Sequence, residues 1–404
     1  MIHPHGRWLR LIIGLFALAA LAAVSTRSEG VAAGAGAMPW SAPTAIAVGL
    51  AQAGRPALAY TSGSVEHAVW ESNGNVFYAQ RPAGGVWSSA TQVAAGGEPA
   101  LVVGEHDVLH LLFSNQFMGN YDIYYVYRDS AGWSLPINVS NTSGVSQQPA
   151  LTRSADGKLH AAWSDNTSGD WMIYHGVWDG KFWSSHPVAS ARGQSSAIAG
   201  AANGRIFVGW QTQSPSNTNP QGVWAIFLTE LQGQNWSMPT NISSRLDLNA
   251  MGVKLVTTAD GQAHLVWVDE SRRVRYAYGQ GANWSAPKTV SDDGTEARGP
   301  DLLVQDGQAL HISWDEGAVA RVVSVQAGAT TWPKAEVAAM QLASLRHVTL
   351  AASPRGDLSV GWVQSDPLET GVYESRRSMM FPWRLWLPMS IRYTSHGYKL
   401  RFFA

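Results

Sequence analysis

No cysteine occurs anywhere in the 404-residue chain. Disulfides, thiolate metal centres, a cysteine nucleophile and a lipid-modified cysteine are therefore all excluded. Charge is scarce too: Asp, Glu, Lys and Arg make up 14% of the residues, against roughly 25% in ordinary soluble domains. A chain without disulfides and with little surface charge must be held together by a large apolar core. What it has instead is 19 tryptophans and 40 glycines, a mixture that suits many short strands joined by tight turns.

One uninterrupted apolar run exists, Leu11–Val24, preceded by Arg7 and Arg10. It falls short of the ~20 residues a bilayer-spanning helix needs and matches the core of an export signal. Small residues at Ala20-Leu21-Ala22 and Ala35-Gly36-Ala37 offer cleavage sites, so residues 1–37 are expected to be a signal peptide and the protein secreted or held at the cell surface. From Arg376 onward six basic residues occur and no acid. Residues 38–375 carry 19 basic against 28 acidic residues, a net charge of −9. Such an acidic body is a poor partner for nucleic acid.

The remaining chain is repetitive. Trp40, Trp87, Trp133, Trp183, Trp236, Trp284 and Trp332 recur at gaps of 46 to 53 residues, most of them followed by Ser. A second column, most often His-x-x-Trp, ends at Trp70, Phe113, Trp163, Trp210, Trp267, Trp314 and Trp362. A third column lies 14 residues before each of these: Pro56, Pro99, Pro149, Ser196, Val253, Pro300 and Val348. Two positions further on stands an aliphatic residue, Leu58, Leu101, Leu151, Ile198, Leu255, Leu302 or Leu350. Within a copy, "PALTRSADGKLHAAW" reads as strand, Asp-Gly turn, strand. "MIYHGVW" supplies a third strand and the Trp-Ser segment a fourth.

Seven copies of four antiparallel strands predict an all-β chain folded as a β-propeller of about seven blades over residues 38–378. The segment starting at Trp40 is a fourth strand without its first three, and the last copy lacks a fourth. The N-terminal strand should therefore close the ring and remove the exposed edges. The tryptophan columns should pack between blades. His67, His110, His160, His264 and His311 share one repeat position that Phe207 and Ser359 fill elsewhere. That exchange favours buried, hydrogen-bonded histidines over metal ligands, and no metal or other cofactor is expected.

The strand pattern "LHAAWSDNTSGDWMIYH…GKFWSS" resembles the repeats of sialidase-like, Asp-box propellers. The Gly-x-x-Trp end of that box stands at Gly84/Trp87, Gly180/Trp183, Gly233/Trp236 and Gly281/Trp284, while Pro82, Trp178, Leu231 and Gly279 replace its Asp. The resemblance implies a propeller fold with ligands on one loop face. Sialidases, which are six-bladed, also use an arginine triad, a Tyr/Glu nucleophile pair and an Asp acid/base. The Arg-Ile-Pro motif is absent, and neighbours Tyr373 and Glu374 on one strand must point to opposite faces. No catalytic residue is carried over.

Loops between strands two and three should share a face with those between strands four and one. Their polar and aromatic residues Asn115, Asp165, Asn166, Trp171, Asp269, Arg272, Asp315 and Gln364 are the candidate ligand contacts. The expectation is a monomeric, non-catalytic propeller that binds a glycan or an extracellular protein. The alternatives are a divergent sialidase-like glycoside hydrolase, which arginines converging on the central cup would favour, and a cell-surface scaffold. The basic, aromatic tail, residues 379–404, suits contact with a cell or membrane surface.

Overall fold

The computed structural model describes residues 39–117, 119–214, 222–243, 248–292, 294–365, 370–378, 392–394 and 397–399. The expected signal peptide lies outside them. Of the 379–404 tail, only a backbone pairing of Arg392–Thr394 with Gly397–Lys399 is described.

Seven antiparallel sheets form seven blades. Taking their inner three strands in order, blade 1 comprises Ala57–Tyr60, Glu66–Ser72 and Asn75–Arg81, and blade 2 Gly97–Val103, Leu109–Asn115 and Asp122–Asp129. Blade 3 comprises Ser146–Arg153, Leu159–Asp165 and Met172–Trp178, and blade 4 Gln194–Gly200, Ile206–Ser214 and Val223–Gln232. Blade 5 has Ala250–Thr257, Ala263–Asp269 and Val274–Gln280, blade 6 Arg298–Gln305, Ala309–Glu316 and Val319–Gln326, and blade 7 Ser344–Ala352, Leu358–Ser365 and Thr370–Arg377. The fourth strand of blade 7 is Thr44–Leu50, which pairs with Thr370–Arg377. The N-terminal strand thus closes the ring, as the order of the repeats requires.

In three blades the outer strand is interrupted at a proline, whereas Trp183–Arg192 of blade 3 runs through Pro187. In blade 5, Asn283–Trp284 and Lys288–Thr289 flank Pro287 and pair separately with the third strand. Pro136 and Pro239 split the outer strands of blades 2 and 4 likewise. A proline on an edge withholds a donor from any further strand and so discourages edge-to-edge association. The turns before them use glycines in left-handed backbone, such as Gly180 at φ 99° and Gly281 at φ 55°. The glycine of the degenerate box is thereby kept by the turn although its acid is lost.

The core consists of seven apolar layers, one between each pair of neighbouring blades. Each holds one residue from each aromatic column and one from the aliphatic column. Trp267, Trp284 and Leu255 lie in the layer between blades 4 and 5, and Trp314, Trp332 and Leu302 in the next. Trp70, Trp87 and Leu58 fill the seam between blades 7 and 1. The second-column rings are all but inaccessible. Burial of ~150–250 Å² per ring makes these layers the main source of stability.

The histidine column is part of this framework. His67 is hydrogen-bonded to Tyr78 Oη (2.9 Å), His110 to Tyr125 Oη (2.7 Å), His160 to His175 Nε2 (3.0 Å) and His264 to Tyr276 Oη (2.7 Å). His311 is bonded to Ser324 Oγ at 2.8 Å. Burial pushes each of the five down to about 4, so they are neutral at pH 7.

A candidate anion site at the mouth of the central channel

The third sequence column marks a repeated bulge. In each of blades 2 to 7, two residues of the inner strand face the single aromatic of the second column. Gln148 and Pro149 lie between the pairs Gln147↔Ser164 and Ala150↔Ala162, opposite Trp163. The same shift recurs at Gly97/Ala100, Gln194/Ala197, Met251/Lys254, Arg298/Asp301 and Arg346/Thr349. In every case the first bulged residue is left-handed: Glu98, Gln148, Ser195, Gly252, Gly299 and His347 have φ between 50° and 70°. The second is the column position, where proline fits because no ladder bond is asked of it.

A left-handed non-glycine residue costs of order 1–3 kcal/mol and persists where its surroundings hold it there. Here the amide freed from the ladder donates to the neighbouring blade. Glu98 N–H donates to Glu71 Oε2 (3.2 Å), Gln148 N–H to Glu98 Oε2 (2.7 Å), Ser195 N–H to Gln148 Oε1 (2.9 Å) and Gly252 N–H to Gln211 Oε1 (3.0 Å). These bonds run around the rim of a cavity of about 510 Å³, lined by the inner strands. Among the described residues this hydrogen-bonded rim ends at blade 5.

Beyond it the rim changes character. The bulged residues of blades 5 and 6 are glycines, and the next positions bring charge: Arg298, His347, Arg346 and, at the corresponding place in blade 1, Arg55. Arg55 donates to the carbonyls of Pro300 (3.1 Å) and Val348 (3.0 Å) and lies 3.7 Å from Asp301. Asp301 also accepts from Thr349 Oγ1 (3.0 Å) and Leu350 N–H (2.9 Å). Arg298 is half-exposed and paired with Glu296 at 2.9 Å. Arg346 is exposed and has no ion-pair partner among the described residues. Within the channel, burial and the nearby Arg55 push Lys254 down to about 8, against the pull of Asp301.

Asp315 lies beside this cluster. It is 2% exposed and, among the described residues, neither accepts a hydrogen bond nor forms an ion pair. A Cβ placed on Gly299 would sit 3.2 Å from its Oδ1, so a glycine here keeps the bulge from crowding the buried carboxyl. Burial pushes Asp315 up to about 7; Arg298, Arg55 and Arg346 oppose the shift and Glu316 adds to it. The crowded setting of the His347 ring, together with Arg55 and Arg346, holds it below its ordinary value even though the residue reaches the surface.

The eight residues expected from the loops do not converge on one point. Asp165 is fully buried and accepts from Thr142 Oγ1, Ser146 Oγ and Thr167 N–H, holding its own loop. Asn166 Oδ1 accepts from Val145 N–H, and the carbonyl of half-buried Trp171 accepts from Gly193 N–H. Asp269 is 1% exposed and paired with Arg275 at 2.6 Å. Arg272 pairs with Glu296 on the surface. Asn115 lines a separate hollow of about 630 Å³ with Glu71, Glu98 and Tyr121, while Gln364 Oε1 is buried without a protein donor. Asp315 stands with the charged cluster, and Arg272 joins its edge through Glu296, which also holds Arg298. Lys254, Arg298, Arg346 and His347 were missed because they sit on inner strands rather than in loops, and Arg55 because it lies just before one and not between strands two and three. Their signal was one place before, or close to, the third column.

The Tyr373–Glu374 pair is divided as strand geometry demands. Tyr373 stacks on Trp362 with ring centroids 6.3 Å apart. Glu374 turns into the seam between blades 7 and 1, where it shares Arg81 with Glu66.

No family model matches the chain, and no curated protein matches it. Solved structures share its fold. A protein of unknown function from Dyadobacter fermentans aligns at TM-score 0.53 and 13% identity, over 82% of this chain and 99% of its own. A polysaccharide lyase, the ulvan lyase of family PL25 bound to -[GlcA(1-4)Rha3S]-, aligns at TM-score 0.57 and 12% identity, over 84% and 93%. The leech intramolecular trans-sialidase aligns at TM-score 0.47 and 12% identity, over 82% and 68%.

Proposed function

We propose that this protein is an exported propeller that binds an anionic glycan, one bearing carboxylate or sulfate groups, at the mouth of its central channel. The observation that carries the reading is the gathering of Arg55, Arg298 and Arg346 around one sector of the rim. Guanidinium groups bind carboxylate and sulfate oxygens through charge-assisted, often paired hydrogen bonds. The surrounding body is acidic, so a local basic sector is a specific feature and not a general surface charge. A glycan ligand accords with the ulvan lyase of similar fold, which was solved with a glucuronate- and sulfate-bearing saccharide.

Binding to an array of neutral, uronate-bearing and sulfated oligosaccharides tests the reading. Arg346→Ala removes an exposed side chain that has no ion-pair partner among the described residues, so the fold should survive and affinity for anionic members should fall about tenfold, the order of one charge-assisted contact. Equal binding of neutral and anionic glycans, or no change in Arg346→Ala, refutes it. A second reading is cleavage of the bound glycan by a sialidase-like hydrolase. It is favoured by the same gathering of arginines, the mark expected of it, and by Asp315, a carboxyl raised to about 7 beside the cluster, as acid/base residues are. Release of new reducing ends from the bound glycan, lost in Asp315→Asn, would support it.

A further inference from the structure

Asp315 is an anomaly in a chain that otherwise commits its buried acids. Asp165, Asp269, Asp122 and Glu230 each hold two or more donors or an arginine. The acids nearest Asp315 are engaged in the same way. Asp301 is held by Thr349, Leu350 and Arg55, Glu316 by Arg321 and Trp314 Nε1–H, and Glu296 by Arg298 and Arg272. Asp315 has only an electrostatic field to hold its charge. That field comes from Arg298 on the adjacent inner strand, Arg55 at the start of blade 1 and Arg346 on the inner strand of blade 7, where His347, lowered by its own crowded setting, lies beside it. Glu316 on its own strand and Arg321 on the next complete its charged surroundings.

An anion seated among these arginines competes with the carboxylate for the same positive field. Two negative charges beside each other in a water-poor site repel strongly, and the less costly response is for one to take a proton. A uronate carboxyl or a sulfate ester is much the stronger acid of the pair, so the proton goes to Asp315. Once protonated, Asp315 is also a donor and can offer its O–H to an oxygen of the ligand. Gly299 sets no side chain against the Asp315 Oδ1.

We propose that the mouth of the channel binds its anionic ligand together with a proton taken up by Asp315, so that affinity rises as the medium becomes more acidic. The inference rests on the anionic-glycan reading and adds a regulation to it. The ligand's own groups are fully ionised above pH 5, so they contribute no titration in the relevant range. His347 and Lys254, the latter pushed down to about 8 by burial and Arg55, are the competing proton acceptors in the cluster.

The test is calorimetric titration of the full chain with a glucuronate–rhamnose-3-sulfate oligosaccharide at pH 6, 7 and 8, in two buffers of different ionisation enthalpy. The expected result is a roughly tenfold loss of affinity from pH 6 to pH 8, with a heat at pH 8 that depends on the buffer by close to one proton per site. Asp315→Asn and Asp315→Ser should bind with an affinity almost independent of pH and with no buffer-dependent heat; two variants guard against a folding defect in either. Unchanged pH dependence in both variants overturns the proposal, as does a dependence abolished by His347→Gln or by Lys254→Met instead. Binding that is pH-independent in the wild type overturns it while leaving the anionic-glycan reading intact. No binding at any pH overturns both.

Discussion

Replacing Arg81 by methionine should open the ring at its seam. Arg81 is 3% exposed and pairs with the carboxylates of Glu66 and Glu374, each 1% exposed, across the boundary between blades 1 and 7, while the more exposed Arg376 reaches Glu374 only at 4.0 Å. Methionine preserves much of the volume, so the loss is chiefly electrostatic. Removing one partner of a buried ion pair costs ~3–5 kcal/mol because the remaining charge is stranded. At about 2 °C per kcal/mol for a chain of this size, the melting temperature should fall by about 6–10 °C at pH 8. Burial and Glu66 already raise Glu374 above its ordinary value, with Arg81 opposing. Without Arg81 the upward shift of Glu374 should grow, and its protonation on acidification would relieve the repulsion. The deficit should therefore be largest at pH 8 and shrink toward pH 5, and adding Glu374→Gln to Arg81→Met should recover part of it. Calorimetric unfolding of the wild type and both variants at pH 5 and 8 measures this. A deficit below ~1 kcal/mol, or one equal at both pH values, would refute the reasoning.

Three further outcomes follow from the same physics. Asp315→Asn should stabilise the ligand-free protein at pH 8, because a carboxyl raised from 3.8 to about 7 weighs against folding above its raised value; the gain, of order 4 kcal/mol, should vanish below pH 4 and is read by urea unfolding. Trp163→Ala, which empties a fully buried site between blades 2 and 3, should cost ~3–5 kcal/mol by the same assay. His264→Phe strands the Tyr276 hydroxyl and should cost ~1–3 kcal/mol, whereas His264→Phe with Tyr276→Leu copies the Phe207 and Leu228 of blade 4 and should recover most of it. A histidine lowered to about 4 keeps its full stability contribution above pH 6.5 and loses it toward pH 4. The double variant should therefore show a slope of stability against pH reduced by up to ~1.4 kcal/mol per unit in that window.

The blades were legible in the sequence because each repeat must present the same groups to its neighbour. Trp267 and Leu255 recur as Trp314 and Leu302 since every inter-blade layer has the same thickness to fill. The site was far less legible. Choosing loop residues by type brought in Asp165 and Asp269, but a short carboxylate in a tight loop meets the freed amides and hydroxyls around it before it meets solvent. The charged cluster joins Arg55 to Arg346, nearly the whole chain away, and no spacing within a repeat reports that. The proline column did carry the clue: proline inside a strand marks a bulge, and bulges re-aim the residue beside them.

The closure by Thr44–Leu50 has a consequence for how the chain reaches this state. Ser41 and Ser375, hydrogen-bonded across that blade, are 334 positions apart. During synthesis the strand that emerges first must wait for the strand that emerges almost last. Contacts of such separation form slowly because a long loop must be closed before they reward it. The six blades whose strands are contiguous can assemble as they appear, while blade 7 waits with three strands and an open edge, the species most exposed to misassociation. Joining the first strand directly behind Arg377 in a permuted chain would turn the slowest contact into a local one, and refolding should quicken without any change in the finished ring.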